Sequence, residues 1–239
     1  MEKVDILAIG AHPDDVELSA AGTILKEKKA GKSVAIVDLT EGELGSRGTV
    51  RTRYNEAAKA GEILGLKARH NIRLADGFFE HTRENLIKLV EQIRYFQPEI
   101  VLANAVSDRH PDHGKGAKFI SDACFLAGLL KIETEYRGES QEKWRPKAVY
   151  HYIQDRYTKP DFIVDVSEFI EDKFKSILAY ETQFYTEEDK GPKTPISGKD
   201  FVEFLKARMR EMGRPMGVEF AEGFTVERTP GINSIFDLK

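Results

Sequence analysis

Two rhythms of apolar and polar residues alternate along the chain. Short β-branched runs at residues 4–9, 33–39, 68–74 and 99–103 predict four strands. Longer segments with apolar residues three and four apart predict helices over 16–30, 51–64, 83–97 and 113–132. In the first helix Val16, Ala20 and Ile24 form the buried stripe, and Gly31 stops it. In the third, Leu86, Leu89, Val90 and Ile93 share one face, and Pro98 ends it. Residues 133–146 are charged and irregular and read as an exposed loop. Two further strands are predicted at 147–154 and 162–166. A helix over 168–182 should turn Phe169, Ile170, Phe174, Ile177 and Leu178 inward, and a last long helix covers 201–212. Residues 184–199 carry Gly191-Pro192 and Thr194-Pro195 and have no period, which predicts a disordered segment or a mobile lid. The segment 213–239 includes Phe220 to Phe224, which predicts an ordered return to the body of the protein.

Alternation of strands with helices predicts an α/β fold, a Rossmann-like three-layer sandwich with a mostly parallel sheet, formed by one domain over 1–239. In the common doubly wound order the first and fourth strands are neighbours. Loops leaving their C-terminal ends then flank one crevice, which is where the active site is expected. No glycine-rich dinucleotide fingerprint follows the first strand, which counts against a nucleotide-binding protein.

Composition narrows the function classes. A formal charge of −4, with Lys and Arg spread along the chain, gives no case for a nucleic-acid partner. The single Cys124 excludes a disulfide framework and suits a reducing compartment. No basic-then-apolar leader is present, and no apolar run nears the roughly 20 residues that span a bilayer. A soluble, cytoplasmic protein is expected.

The chemistry concentrates in two clusters. Ala11-His12-Pro13-Asp14-Asp15 follows the first strand, and His110-Pro111-Asp112-His113 follows the fourth. An Asp-Asp pair after a strand can simply cap a helix, and a lone His-Pro-Asp can be a turn. Two such clusters at adjacent strand ends point instead to a metal site. His12, Asp15 and His113 would supply two imidazoles and a carboxylate, leaving one position open. Asp14 is then free to act as general base, and His110 could stabilise an oxyanion or protonate a leaving amine. Asp112 could hold His110 in one tautomer. Arg53 and Arg109, each beside a strand-end loop, are either surface cations or bidentate binders of a substrate carboxylate or phosphate. Glu17 is either an exposed helix residue or a support for the ligand turn. His70, His81 and His151 stand singly and are expected to be structural. Zinc is the expected metal, although ferrous iron or cobalt also suits such a site.

The two histidine motifs resemble those of the zinc-dependent de-N-acetylases of the LmbE-like, or PIG-L, family. Asp38-Leu39-Thr40-Glu41, Gly48-Thr49-Val50, Arg53, Asp108-Arg109, Tyr180 to Phe184 and Ala221 to Phe224 resemble its bacillithiol biosynthesis deacetylase branch. The resemblance implies His12, Asp15 and His113 as zinc ligands and Asp14 as general base. It implies His110 at the oxyanion or leaving group, and Arg53 and Arg109 on the substrate. The implied reaction removes acetyl from N-acetylglucosaminyl-malate, and the implied assembly is a homo-oligomer, a hexamer in relatives. The chain departs from the family pattern where Val16 separates Asp15 from Glu17 and where Gly45 and Arg47 alter a loop. Competing expectations are a de-N-acetylase of another N-acetylglucosamine conjugate or a chitooligosaccharide, and a non-catalytic metal-binding regulatory module with a fourth protein ligand.

Overall fold

The computed structural model describes residues 1–184 and 191–238. Its frame is a seven-stranded sheet. The first half contributes β1 (Ile6–Gly10), β2 (Val34–Thr40), β3 (Ala68–Leu74) and β4 (Ile100–Ala103), joined by helices α1 (Asp15–Lys29), α2 (Val50–Ile63) and α3 (Arg83–Phe96). Helix α4 (Pro111–Ala127) follows, then the small hairpin β5 (Glu135–Tyr136) and β6 (Glu139–Ser140), then β7 (Ala148–Tyr152) and β8 (Phe162–Asp165). Helices α5 (Ile170–Leu178) and α6 (Phe201–Gly213) precede β9 (Ala221–Val226). The strand order is β3-β2-β1-β4-β7-β9-β8.

Strands β1 and β4 pair in parallel, Ile6 opposite Ile100, so the winding reverses between them as the sequence predicts. Strand β9, from the C-terminal return segment, inserts antiparallel between β7 and β8. Successive residues of β1 serve opposite faces. Leu7 and Ile9 pack with Leu89, Val90, Ile93 and Phe96 of α3 and with Phe119, Ile120 and Ala123 of α4. Ile6 and Ala8 pack with Val16, Ala20, Ala21 and Ile24 of α1. All five residues of β1 are buried, as expected of a central parallel strand.

Three local expectations need correction. The fourth helix stops at Ala127 rather than near 132, because Gly128 lies against Arg145 and the chain turns there. The fifth begins at Ile170 after a short 3-10 turn, Ser167–Phe169, and ends at Leu178, which is exposed rather than inward. Residues 133–146 are not wholly irregular, since they hold the β5–β6 hairpin. Part of the predicted lid, residues 185–190, lies outside the described residues. The neighbouring Thr194, Pro195 and Ile196 line the cleft described next.

Candidate active site

Four parallel strands deliver polar side chains just past their C-terminal ends. His12 lies two residues beyond β1, Asp76 two beyond β3, Asn104 one beyond β4 and Gln154 two beyond β7. Gly10 makes the first turn feasible. A Cβ there would lie 3.1 Å from both the Asp15 Cβ and the His12 carbonyl oxygen. The chain then enters α1 through Asp14, whose φ of 116° is in the left-handed region that costs a non-glycine residue energy. The Asp14 side chain makes no helix-capping hydrogen bond. Arg53 instead donates to its Oδ2 and to the Pro13 carbonyl, both at 2.8 Å.

His12, Asp15 and His113 converge. The Asp15 carboxylate lies 3.6 Å from His12 Nδ1 and 3.0 Å from His113 Nε2. Each imidazole is held from behind by another carboxylate. His12 Nε2 donates to Asp76 Oδ1 at 2.9 Å, and His113 Nδ1 donates to Asp108 Oδ2 at 2.5 Å. These bonds place the ring protons on the far nitrogens and turn the lone pairs of the near nitrogens towards Asp15. Two lone pairs facing an anion repel unless positive charge, from protons on the near nitrogens or from a metal ion, lies among them. A divalent ion fits this donor set, which has the mixed imidazole and carboxylate character of a metal centre. The proton affinities point the same way. Burial disfavours a charged imidazole, yet Asp15 and Asp108 push His113 up to about 9. His12 is raised well above its usual value against the same burial, by Asp112, Asp15 and Asp76. The nitrogens of His12, His110 and His113 also lie within 4.8 Å of one another.

Asp14 has the properties of a base matched to neutral pH. Burial raises it and Arg53 partly offsets this, leaving it at about 6. His110 is lowered by burial and by the neighbouring His12 and His113. Its Nδ1 accepts the Asp112 main-chain N–H at 3.2 Å, which leaves the proton on Nε2.

The role expected of Asp112 needs correction here, because the contact that orients His110 comes from the Asp112 backbone. The Asp112 carboxylate accepts from Gly77 N at 2.7 Å and lies 2.7 Å from Lys115 Nζ and 3.4 Å from His12 Nε2. It is fully buried beneath the site.

His12, Asp14, Asp15, Arg53, Arg109, His110 and His113 all border one cleft of about 320 Å³. Arg109 sits at its rim, with Nε 3.2 Å from Asp155 Oδ2. Glu17 is wholly buried and accepts from Arg69 and from Tyr180 Oη. Arg69 also grips Asp38 through two hydrogen bonds of 2.7 and 2.9 Å, so this network braces the floor under α1. Sequence reasoning missed the supporting roles of Asp76, Asp108, Asn104 and Gln154. Asn104 donates to Asp15 Oδ2 and Gln154 to Asp15 Oδ1, each at 3.0 Å. The available signal was position, since each lies in the loop that leaves a strand's C-terminal end. His70 and His151 make structural contacts, His70 with Gln92 and His151 with the Asn104 carbonyl, while His81 lies by Asp122.

Residues 7–124 match the family model PIG-L, described as GlcNAc-PI de-N-acetylase. A diacetylchitobiose deacetylase of Thermococcus kodakarensis is 32% identical over 242 residues, covering 95% of this chain and 84% of that protein. The chain belongs to the PIG-L family. It is accordingly a hydrolase of N-acetyl amide bonds. Solved structures in this fold agree. The conserved protein TT1542 from Thermus thermophilus superposes with a TM-score of 0.86 at 36% identity, covering 98% of each chain. An N,N'-diacetylchitobiose deacetylase from Pyrococcus horikoshii shares the fold at a TM-score of 0.77 and 24% identity, over 98% of this chain and 88% of that one. No helix among the described residues is long and apolar enough to cross a membrane.

Proposed function

We propose that this PIG-L member hydrolyses the acetamide of N-acetylglucosaminyl-malate to glucosaminyl-malate and acetate, with one zinc ion held by His12, Asp15 and His113. The observation that carries this reading is the convergence of those three side chains beside a basic carboxylate, Asp14. A bound zinc would polarise the acetamide carbonyl and acidify a water molecule. Asp14 takes the proton of the attacking water, and Arg53 fixes its carboxylate in the required direction. His110 presents Nε2–H to the developing oxyanion and keeps it, while the proton that Asp14 took from the water passes to the departing amine. Arg109 at the rim suits a substrate carboxylate, of which malate has two.

The diacetylchitobiose deacetylase relative supports a second reading within the same chemistry, a de-N-acetylase of a chitooligosaccharide or another N-acetylglucosamine conjugate. The deciding experiment is release of free amine from N-acetylglucosaminyl-malate, N-acetylglucosamine and diacetylchitobiose, with chelated protein in parallel. Metal-dependent turnover favouring the malate conjugate supports the first reading. Metal-dependent preference for diacetylchitobiose replaces it with the second. The bacillithiol-branch resemblance also supports a homo-oligomer, a hexamer, which light scattering on the purified protein tests.

A further inference from the structure

Helix α6 carries an arginine at the edge of its apolar stripe. Phe201, Leu205, Met209 and Met212 are buried on its inner face, and Arg208 flanks them, partly buried. Phe201, Leu205 and Arg208 line the cleft. Arg208 is half-buried there, and burial lowers the proton affinity of its guanidinium. Placing a cation on the apolar side of a helix costs desolvation, which is offset only if the charge has a task or a strong partner. Its protein contacts are modest. Nη2 donates to the Asp155 main-chain carbonyl, and the guanidinium lies over the Phe204 ring, 4.7 Å from its centroid. Neither contact neutralises the charge.

A second guanidinium meets it at the same point. Arg109 Nε reaches the Asp155 carboxylate at 3.2 Å. Asp155 thus tethers both arginines, one through its side chain and one through its backbone. The neighbouring carboxylate of Asp108 is engaged by His113 Nδ1 and the Arg156 main-chain N–H. Asp155 and Glu211 both bear on Arg208, so what marks the corner is the convergence of two guanidiniums on one residue, Asp155. Its position relative to the chemistry is fixed by the chain itself. The preceding residue, Gln154, donates to Asp15 Oδ1 at 3.0 Å and lies 3.4 Å from His113 Nε2. This corner therefore stands one residue beyond the side chain that touches the metal-type ligands. Arg109 and Arg208 line the same cleft as those ligands, so a substituent of a sugar bound there can extend towards them.

We propose that Arg208, paired with Arg109 across Asp155, forms an outer subsite for a carboxylate on the substituent of the amino sugar, and that Arg208 sets the preference for anionic over neutral substrates. The inference rests on the de-N-acetylase reading of the site. Arg208 is a specificity residue and takes no part in bond making.

The test uses binding and turnover together on the full-length, metal-loaded protein. Calorimetry on Asp14→Asn, which keeps the pocket but stops turnover, measures binding of N-acetylglucosaminyl-malate and of N-acetylglucosamine, with and without Arg208→Gln. The expected result is a tenfold or greater weakening for the malate conjugate and less than a twofold change for the neutral sugar. In the otherwise wild-type protein, Arg208→Gln should raise KM for the malate conjugate by a similar factor with kcat kept within about twofold. Arg208→Lys should recover part of the preference, because it keeps the charge but not the fork. Equal weakening for both sugars, or none for either, overturns the proposal. If the chain turns over neither sugar, the proposed reaction fails, and the calorimetric comparison still decides the subsite.

Discussion

Arg53 Nη2 and Asp14 Oδ2 lie 2.8 Å apart, and both residues are buried. They come from different elements, the turn into α1 and the first turns of α2. The pair explains how Asp14 keeps a defined direction although its backbone lies in the left-handed region and its side chain does not cap the helix. Arg53→Gln should therefore lower kcat by about 10- to 100-fold, the range expected when a reacting group is misplaced by about an ångström. Bound metal should stay constant, since Arg53 touches neither His12, Asp15 nor His113. Steady-state kinetics with metal analysis on the same samples checks both halves.

Asp14 and His113 should part company in the same way. Asp14→Ala should keep the metal and lose at least about 10²-fold in turnover, the usual contribution of a general base. His113→Ala should lose metal and turnover together. Equal metal loss in the two variants would contradict the division of labour between them.

Asp76 and Asp108 hold the far nitrogens of the two imidazoles. Replacing such a carboxylate with the amide of equal shape typically costs about 10–100-fold in metal affinity. Asp76→Asn and Asp108→Asn should each show that loss in a competition titration against a chromophoric chelator. An unchanged affinity in both would mean that the rings are oriented by packing alone.

These two aspartates also mark the limit of what the sequence discloses. The strands and helices are legible because burial on both sheet faces and on one helix face imposes periods of about 2 and 3.6 on residue choice. The meeting of His12 with His113 is legible because a doubly wound sheet makes neighbours of β1 and β4. Asp76 has no such signature. It sits in an ordinary Asp-Gly turn, and its task is defined by a histidine 64 residues away. The Asp112 case fails for another reason. Its backbone and its carboxylate serve different partners, and a residue type carries no information about which one faces His110. Arg69 is hidden likewise, because a charged residue on a strand looks exposed until Asp38 and Glu17 are placed opposite it.

Lys173 and Glu222 form a buried ion pair at 2.7 Å, each side chain almost wholly out of solvent. Lys173 also donates to the carbonyls of Glu17 and Leu18, and Glu222 accepts from the N–H groups of Gly22 and Thr23. The pair thus joins α5 and β9 to the middle of α1, the helix that begins at Asp15. Removing one partner strands a charge, so Lys173→Met should cost about 3–5 kcal/mol. Adding Glu222→Gln removes the uncompensated charge while keeping an acceptor for Gly22 N, and should recover part of that loss. Urea denaturation of the single and double variants measures the difference. A double variant less stable than Lys173→Met would show that the Glu222 charge stabilises α1 without its lysine.

Asp5 ties the start of β1 to the start of β2, accepting from Ser33 N at 2.8 Å and Ser33 Oγ at 2.7 Å. These bonds, with a smaller contribution from Lys32, lower its carboxyl to about 2. An unfolded aspartate titrates near about 3.9, so the folded state binds this proton more weakly. The stabilisation is therefore fully present above about pH 4–5 and is lost as pH falls from there towards about 2. The Asp5 side chain is 35% exposed. Solvent screening at that exposure limits its worth at neutral pH to about 1 kcal/mol or less. Asp5→Asn should be slightly less stable than the wild type at neutral pH, with the gap shrinking steadily between about pH 5 and pH 3. Thermal melts of the two proteins across that window check the sign. A gap that stays constant would mean that the amide loses shape complementarity with Ser33 rather than charge.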